Sequence, residues 1–173
     1  MIEPVTLAGS DRTVGRDLDD LAGILSASVA AGASVGFVAP LGVEDAREYW
    51  RGLRRPVSSG ARVLLGARRG GALVGTVQVV LDSPPNGRHR AEITKLLVHP
   101  RSRRGGLGAA LMAAAEDGAR AHGRTLLVLD TRTGDDGERL YRRIGYQAAG
   151  VIPRYARAVG GFQDTVYMFK ELS

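Results

Sequence analysis

The sequence lacks cysteine altogether and has few aromatic residues. Without cysteine there can be no disulfide framework, no thiolate metal site and no covalent mechanism through a cysteine nucleophile. Aromatic residues make up 5% of the chain and are not interleaved with a basic stripe, so we expect no nucleic-acid partner. The 3 histidines, at positions 89, 99 and 122, are too scattered for metal-ligand spacing. We therefore expect no metal.

Long apolar runs are also missing. No stretch approaches the roughly 20 apolar residues needed to cross a bilayer. Residues 1–11 lack the basic segment followed by an apolar segment that is typical of a leader peptide. We therefore expect a cytoplasmic protein with no membrane partner. A chain of 173 residues that is 44% hydrophobic is long enough for a full core and predicts one globular domain.

Lysine is almost absent, whereas arginine is abundant. The net charge is +6, and 22 of the 24 cationic side chains are arginine, which leaves Lys95 and Lys170 as the only lysines. Guanidinium groups bind phosphate through several donors, so a phosphorylated partner is compatible with this composition. A GC-rich coding bias combined with an ordinary basic surface explains the same charge, and from charge alone we prefer this explanation.

Apolar patterning predicts an α/β fold. Helical spacing is found over 17–31, 43–53, 107–122 and 135–144, and strand-like runs over 61–67, 73–81, 91–98, 125–130, 146–152 and 165–170. Residues 82–90 form a predicted surface turn. An opening hairpin, a strand–helix–strand centre and a closing hairpin together predict a mixed sheet of six to seven strands with helices on both faces.

The most informative segment, residues 98–108, lies between a strand and an alanine-rich helix. Its glycines allow a ligand to approach the backbone, and the helix start presents unpaired N–H groups. The segment is not a Walker loop, because no Gly-Lys-Ser/Thr follows, and Leu111 stands where a dinucleotide fingerprint needs its third glycine. A glycine-rich turn could instead serve only close packing. Arg103 and Arg104 favour phosphate binding.

This segment resembles the pyrophosphate loop of the GNAT superfamily of N-acetyltransferases, because Arg103-x-x-Gly106-x-Gly108 matches its motif. The resemblance implies acetyl-CoA as cosubstrate, with loop amides on the pyrophosphate. It also implies that the preceding strand's backbone binds the pantetheine arm and the thioester carbonyl. The implied cofactor-binding residues are Leu97, Val98, Arg103, Arg104, Gly105, Gly106, Leu107, Gly108 and Ala109.

A second match lies at residues 138–146. Leu140 and Ile144 stand four apart and should face the core, and Gly145 can end the helix. Tyr141 by itself is most simply a half-buried aromatic residue. The resemblance implies instead that Tyr141 lies near the coenzyme sulfur and protonates the leaving thiolate. Gly134 stands where the family commonly has an asparagine that contacts the pantetheine arm.

Two carboxylates interrupt strands that we expect to be buried. Glu92 lies near the start of one strand, and Asp130 closes another. A carboxylate inside a sheet must be paired, hydrated or functional, because uncompensated desolvation is costly. Both residues could simply lie at strand ends in water, with Lys95 or an arginine as partner. An amine acceptor must lose a proton before it attacks, so the pair could also act as a base through water.

The C-terminal half looks most like the tabtoxin-resistance type of acetyltransferase, and the resemblance spans residues 91–100, 129–131, 138–146 and 150–155. Residues 1–173 are thus expected to form one N-acetyltransferase domain acting on a primary amine of a small, amino-acid-like acceptor. Because there is no cysteine, direct attack in a ternary complex is favoured. The alternatives are a regulatory coenzyme-A-binding module without catalysis and an enzyme acting on a peptide or protein amine. The sequence is compatible with a homodimer but does not fix the oligomeric state.

Overall fold

The computed structural model describes residues 1–9 and 12–173 and contains one seven-stranded mixed sheet. The strands are β1 (Ile2–Pro4), β2 (Arg62–Arg69), β3 (Ala72–Val80), β4 (Arg90–Val98), β5 (Leu126–Arg132), β6 (Gln147–Ala158) and β7 (Gly161–Glu171), in the sheet order β1-β2-β3-β4-β5-β7-β6. The helices are α1 (Arg12–Ala30), α2 (Val43–Gly52), α3 (Arg54–Ser58), α4 (Leu107–Ala121) and α5 (Asp136–Arg143). Among the strand pairs of the described residues, β4 and β5 pair in parallel and the others pair antiparallel. The predicted mixed sheet with helices on both faces is confirmed.

The two faces of the sheet are covered to different extents. On one face, α4 packs over strands from β2 to β7, and Leu111 and Met112 are fully buried there. On the other face, α1 and α2 form a second core with Trp50 at its centre. Among the described residues, only strands β2, β3 and β4 contribute buried side chains to this second core. The face therefore lies open over β5, β7 and β6.

Several element bounds differ from the sequence-based predictions. Helix α1 begins at Arg12 rather than at residue 17. Strands β6 and β7 are 12 and 11 residues long, longer than predicted, because most β6 side chains are exposed and show no apolar alternation. Strand β1 and helix α3 were not predicted, since they have 3 and 5 residues and are too short to carry a periodic signal.

None of the helices in the described part of the chain has the length and apolar character needed to span a membrane. Ser10 and Asp11, which end the segment searched for a leader, lie outside the described residues.

Candidate active site

The loop between β4 and α4 has the geometry of an anion-binding turn. His99 precedes a short 3-10 turn over Pro100–Ser102, and its Nδ1 accepts a hydrogen bond from the Arg101 N–H at 3.3 Å. Gly106 follows as the N-cap of α4 with φ of 75°, a left-handed conformation that suits glycine. A Cβ added at Gly106 would meet no atom within 4 Å, so backbone conformation rather than space calls for glycine.

The first turn of α4 is available to a ligand. Gly106 has no side chain with which to cap the helix, so N–H groups of the first turn point outward unpaired. Helix α4 has 15 residues, and its dipole places partial positive charge at this end. Arg103 and Arg104 are exposed beside it. The predicted cofactor residues 103–109 thus form one continuous, positively charged turn, which fits a pyrophosphate group.

A cleft opens where β4 and β5 separate. The two strands pair only from Arg90 opposite Leu126 to Glu92 opposite Val128, although both continue further. Beyond this point β4 carries a β-bulge, because Lys95 has φ of 51° and the register with β3 shifts around it. A bulge bends and twists its strand. The cleft therefore runs from Glu92 towards the turn of residues 103–109.

Val98 presents backbone groups to this cleft. The His99 N–H bonds to the Val74 carbonyl on β3 at 2.9 Å. Because neighbouring residues of a strand direct their N–H groups to opposite edges, the Val98 N–H and carbonyl point away from β3 and into the cleft. The carbonyl accepts a hydrogen bond from Arg103 Nε at 3.1 Å, which leaves the N–H as the donor. The same alternation turns the N–H of Leu97 towards β3.

Tyr141 is fixed on α5 by the way this helix ends. The Tyr146 N–H donates to the Tyr141 carbonyl at 2.9 Å, and the Gly145 N–H donates to the Arg142 carbonyl at 3.2 Å. With Gly145 at φ of 94°, this is a Schellman motif, and the predicted helix stop is confirmed. The Tyr141 side chain is buried in the core on the α4 face.

Burial sets the protonation state of Tyr141. Desolvation raises the pKa of its hydroxyl, and the negative charges of Asp135 and Asp130 raise it further. The hydroxyl is therefore protonated at neutral pH and can serve as a hydrogen-bond donor.

Glu138 strengthens the loop that leads into α5. Its Oε2 accepts a hydrogen bond from the Gly134 N–H at 2.6 Å, and its N–H donates to Oδ1 of the N-cap residue Asp135 at 2.8 Å. Arg142 binds the other carboxylate oxygen of Glu138 at 2.7 Å. These bonds hold the backbone of Gly134, which has no side chain of its own to contact a ligand.

Glu92 and Asp130 lie on the same face of the sheet. The neighbours of each residue along its strand, Ala91 and Ile93 in β4 and Leu129 in β5, pack in the core on the α4 face. Successive strand residues alternate, so both carboxylates point to the opposite, open face. Glu92 lies opposite Val128, two residues before Asp130. Strand spacing and rise then place the two Cα atoms about 8 Å apart.

We expected the strands that carry these two carboxylates to be buried. The side chains of Glu92 and Asp130 are instead exposed, so this expectation is wrong for them. The reason is that β5 is covered by helices on the α4 face alone. Asp130 is nevertheless crowded by protein atoms, and desolvation raises the pKa of its carboxyl group, an effect that the positive charge of Lys95 partly offsets. The structure thus brings both predicted carboxylates to one edge of the cleft.

Sequence reasoning missed several side chains on this face. Tyr167 of β7 lies opposite Asp130, and its hydroxyl donates to the Tyr155 hydroxyl at 2.7 Å. This bond is the main reason that the pKa of Tyr167 rises to about 12. Glu92 and Tyr167 both line a pocket of about 300 Å³. Tyr167 can be placed on this face only from the strand register. Lys95 could have been noticed in the sequence, because it is the only lysine in the largely apolar run 91–98.

The histidines have other roles. His122 caps the C-terminus of α4, where Nδ1 lies 2.8 Å from the Gly118 carbonyl oxygen, and His89 is exposed. Within residues 1–9 and 12–173, no group of three His, Asp or Glu side chains could hold a metal ion.

The site therefore combines two strands that separate with an anion-binding helix start. The chain belongs to the acetyltransferase (GNAT) family, whose model matches residues 33–146. It is also 35% identical over 130 residues to an uncharacterised N-acetyltransferase of Azospirillum brasilense, which covers 74% of this chain and 76% of that protein. The chain is thus an acetyl-CoA-dependent N-acetyltransferase; the tabtoxin-resistance subtype stays a prediction.

Solved structures share the fold along the whole chain. The ribosomal-protein-alanine N-acetyltransferase of Brucella melitensis has a TM-score of 0.81 and 25% identity, with 99% of each chain covered. A Salmonella typhimurium protein described as an acetyltransferase, solved with its cofactor acetyl-CoA, has a TM-score of 0.79 and 18% identity. That match covers 100% of this chain and 94% of the other.

Proposed function

We propose that the enzyme transfers the acetyl group of acetyl-CoA to the primary amine of a small, amino-acid-like acceptor, by direct attack in a ternary complex. One observation carries this proposal: the cleft that begins at the turn of residues 103–109 leads onto the open face with Glu92 and Asp130. Acetyl-CoA supplies an activated thioester carbonyl. The lack of cysteine supports direct attack over an acetyl-enzyme on a thiol.

The backbone of β4 would hold the thioester carbonyl oxygen. The Val98 N–H points into the cleft, and a fixed donor of this kind stabilises negative charge as it develops on the oxygen. Arg103 supports the donor by bonding the Val98 carbonyl on the same side. The N–H of Leu97 faces β3, so this residue supports the site only through a buried side chain that anchors the strand.

Asp130 and Glu92 would remove the proton of the acceptor ammonium. A general base works best when its pKa approaches the working pH, and partial desolvation by the surrounding protein atoms raises the pKa of Asp130 in this direction. A separation of about 8 Å between the two Cα atoms leaves room for water between the carboxylates. We therefore assign direct proton removal to Asp130, with Glu92 sharing the proton through water.

Tyr141 would act on the leaving sulfur. Burial raises the pKa of its hydroxyl well above the ~8.5 of an ordinary thiol, so complete proton transfer to a thiolate in water would be uphill. The same burial would raise the pKa of a thiol beside it. Tyr141 therefore donates a hydrogen bond to the sulfur first, and the proton follows as negative charge develops.

An acceptor screen tests this proposal. Purified enzyme is incubated with acetyl-CoA and a panel of free amino acids, simple amines and peptides, and thiol release is followed. We expect acceptor-dependent release with small amines, and the double variant Glu92→Gln/Asp130→Asn provides the background. Tight acetyl-CoA binding without turnover on any acceptor would contradict the proposal and favour the regulatory module.

A peptide amine is the second candidate, because the Brucella melitensis relative is a ribosomal-protein-alanine N-acetyltransferase. The pocket beside Glu92, at about 300 Å³, has the volume of a small molecule and favours the first candidate. Higher kcat/KM for N-terminal peptides than for every free amino acid would reverse this order.

We further propose that residues 1–173 form a single acetyltransferase domain, since one sheet includes strands from Ile2 to Glu171. A homodimer is proposed as well: β6 is the edge strand, and Val151 and Ile152 on it are exposed. Long edge strands are usually covered in native proteins. Sedimentation equilibrium of the wild type and of Ile152→Lys distinguishes a dimer from a monomer.

A further inference from the structure

We propose that Arg62 and Lys95 form an anion subsite on the acceptor face, so that the acceptor carries a carboxylate as well as its amine and is a free amino acid. This inference rests on the proposed function and extends it to the opposite end of the acceptor molecule.

The first argument is the placement of Arg62. Pairing along the sheet puts Arg62 opposite Val80, Val80 opposite Glu92, and Glu92 opposite Val128. Paired residues point to the same face, so Arg62 and Glu92 share the open side of the sheet. They are two strands apart, which places their Cα atoms about 10 Å from each other. A positive and a negative side chain therefore face one space.

That space is continuous. The pocket of about 300 Å³ contains Glu92, and a neighbouring pocket of about 310 Å³ contains Arg62 and Arg55. Val80 and Asp82 line both pockets, so the two form one trough. The trough has Glu92 towards one end and the two arginines at the other, and the Asp82 carboxylate lines the part that the two pockets share. Lys95 and Asp130 do not line the trough and lie beside it on the same face of the sheet.

The second argument is that Arg62 and Lys95 have no carboxylate partner. In the described part of the chain, neither side chain lies within 4.0 Å of a carboxylate oxygen. Arg68, further along β2, instead binds both Asp17 and Glu3. Arg62 Nη1 donates to Gln78, which in turn donates to the Tyr49 hydroxyl at 3.3 Å. The guanidinium is thus oriented by neutral groups, and its charge is not neutralised.

The third argument is that the backbone conformation and the partly buried charge of Lys95 both cost free energy. It has φ of 51°, where a non-glycine residue is uncommon, and its ammonium group is half-buried 5.5 Å from the centre of the Tyr49 ring. Desolvation lowers the pKa of Lys95, and the charge of Arg62 lowers it further, while Asp130 and Glu92 act in the opposite direction. Two cations close enough to repel each other favour a bound anion.

The charge pattern then selects the acceptor. Carboxylates at Glu92 and Asp130 would bind an ammonium group, and Arg62 with Lys95 would bind a carboxylate. A simple amine would fill only the negative half and leave both cations unpaired. Because a site built for a polar group rejects analogues that lack it, we expect strong discrimination against amines without a carboxylate.

Lysine NMR tests the subsite directly, because the chain has only two lysines, Lys95 and Lys170. Enzyme with ¹³C-labelled lysine and bound coenzyme A is titrated with each of the common amino acids, and Lys95→Arg assigns the signals. We expect at least one amino acid to shift the Lys95 signal and raise its pKa, while the matching amino-acid amide does not. If no amino acid shifts the signal, or if the amide shifts it equally, the inference is overturned.

Kinetics provide a second test. For amino acids that are acetylated, we expect kcat/KM to fall by roughly 30-fold or more when the carboxylate is replaced by an amide. Arg62→Gln should raise KM for the amino acid by a similar factor and leave the amide unaffected. Arg69→Gln, at the exposed far end of β2, is the matched control.

The outcomes separate the two proposals. Equal acetylation of amino acids and their amides would overturn the anion subsite and leave the acetyltransferase proposal intact. If no amine is acetylated at all, the proposed function fails, and the NMR titration still decides whether the subsite exists.

Discussion

The donor side and the acceptor side of this active site are built in different ways. The proposed donor side is one contiguous turn, residues 103–109, which offers backbone N–H groups and the positive end of a helix dipole. The proposed acceptor side is assembled from side chains on separate strands, among them Glu92, Asp130 and Tyr167. The first requires a local sequence motif, and the second requires the correct register of the whole sheet. The donor side can therefore be recognised in a sequence more easily than the acceptor side.

The largest expected effect tests whether the donor side is an anion site. Gly106→Glu should abolish acetyl-CoA binding, because it puts bulk and negative charge where the pyrophosphate must lie. Calorimetry with acetyl-CoA measures this. Gly123→Glu is the matched control: Gly123 follows the other end of α4 at φ of 69°, against 75° for Gly106. An added Cβ meets nothing within 4 Å at either position. Equal affinity in both folded variants would refute the loop assignment.

The next effect tests the acceptor side. If Glu92 and Asp130 share the base function, Glu92→Gln and Asp130→Asn should each leave partial activity, and the double variant should lose roughly 10²–10⁴ in kcat. The loss should be greater than the product of the single effects, because in each single variant the remaining carboxylate partly replaces the missing one. Glu171→Gln, an exposed carboxylate at the end of β7, should have no effect.

The pH profile distinguishes a base from an acceptor-binding anion. The base must be deprotonated, so kcat/KM falls as the pH drops through its pKa. Because the pKa of Asp130 is raised, this limb should lie above that of an ordinary carboxyl group, and Asp130→Asn should move it to lower pH. A large increase in KM with the limb unmoved would instead mean that the carboxylates only bind the ammonium group.

The same contrast explains what the sequence could predict. The mixed sheet, the helix start at Leu107 and the helix stop at Gly145 all follow from local patterns, and the structure agrees with them. The sequence could not show that Arg62 and Tyr167 lie on the same face as Glu92 and Asp130, because no local pattern in their strands reveals which residues they pair with. Strand β6 was predicted too short for a related reason: its side chains are exposed, so no apolar alternation marks its length.

A smaller effect tests whether Tyr141 takes part in the reaction on the donor side or only packs in the core. Tyr141→Phe keeps the ring and removes the hydroxyl, so kcat should fall by roughly ten- to a thousandfold with acetyl-CoA affinity little changed. Tyr146→Phe is the control, since the two buried rings lie 5.8 Å apart and burial raises the pKa of both hydroxyl groups. If kcat is unaltered in Tyr141→Phe, Tyr141 is only part of the core.

The smallest effect concerns thermal stability. Replacing a functional carboxylate by its amide should raise Tm at neutral pH, whereas the same replacement at a structural carboxylate should lower Tm. The pKa of Asp130 is raised in the folded protein, so its ionised form disfavours folding at neutral pH. Asp130→Asn should therefore raise Tm at pH 7 by about 1–2 °C. The gain should vanish as the pH falls below the unfolded pKa, because both states then bind the proton.

Glu138→Gln should instead lower Tm at pH 7. The Gly134 N–H and Arg142 lower the pKa of Glu138, so its ionised form stabilises the folded protein above the unfolded pKa, and the stabilisation is lost as the pH falls through the folded pKa. Thermal melts of both variants from pH 3 to pH 7 measure the two slopes. A loss of Tm at pH 7 in Asp130→Asn would mean that Asp130 is a structural carboxylate like Glu138, and the base assignment would lose its physical support.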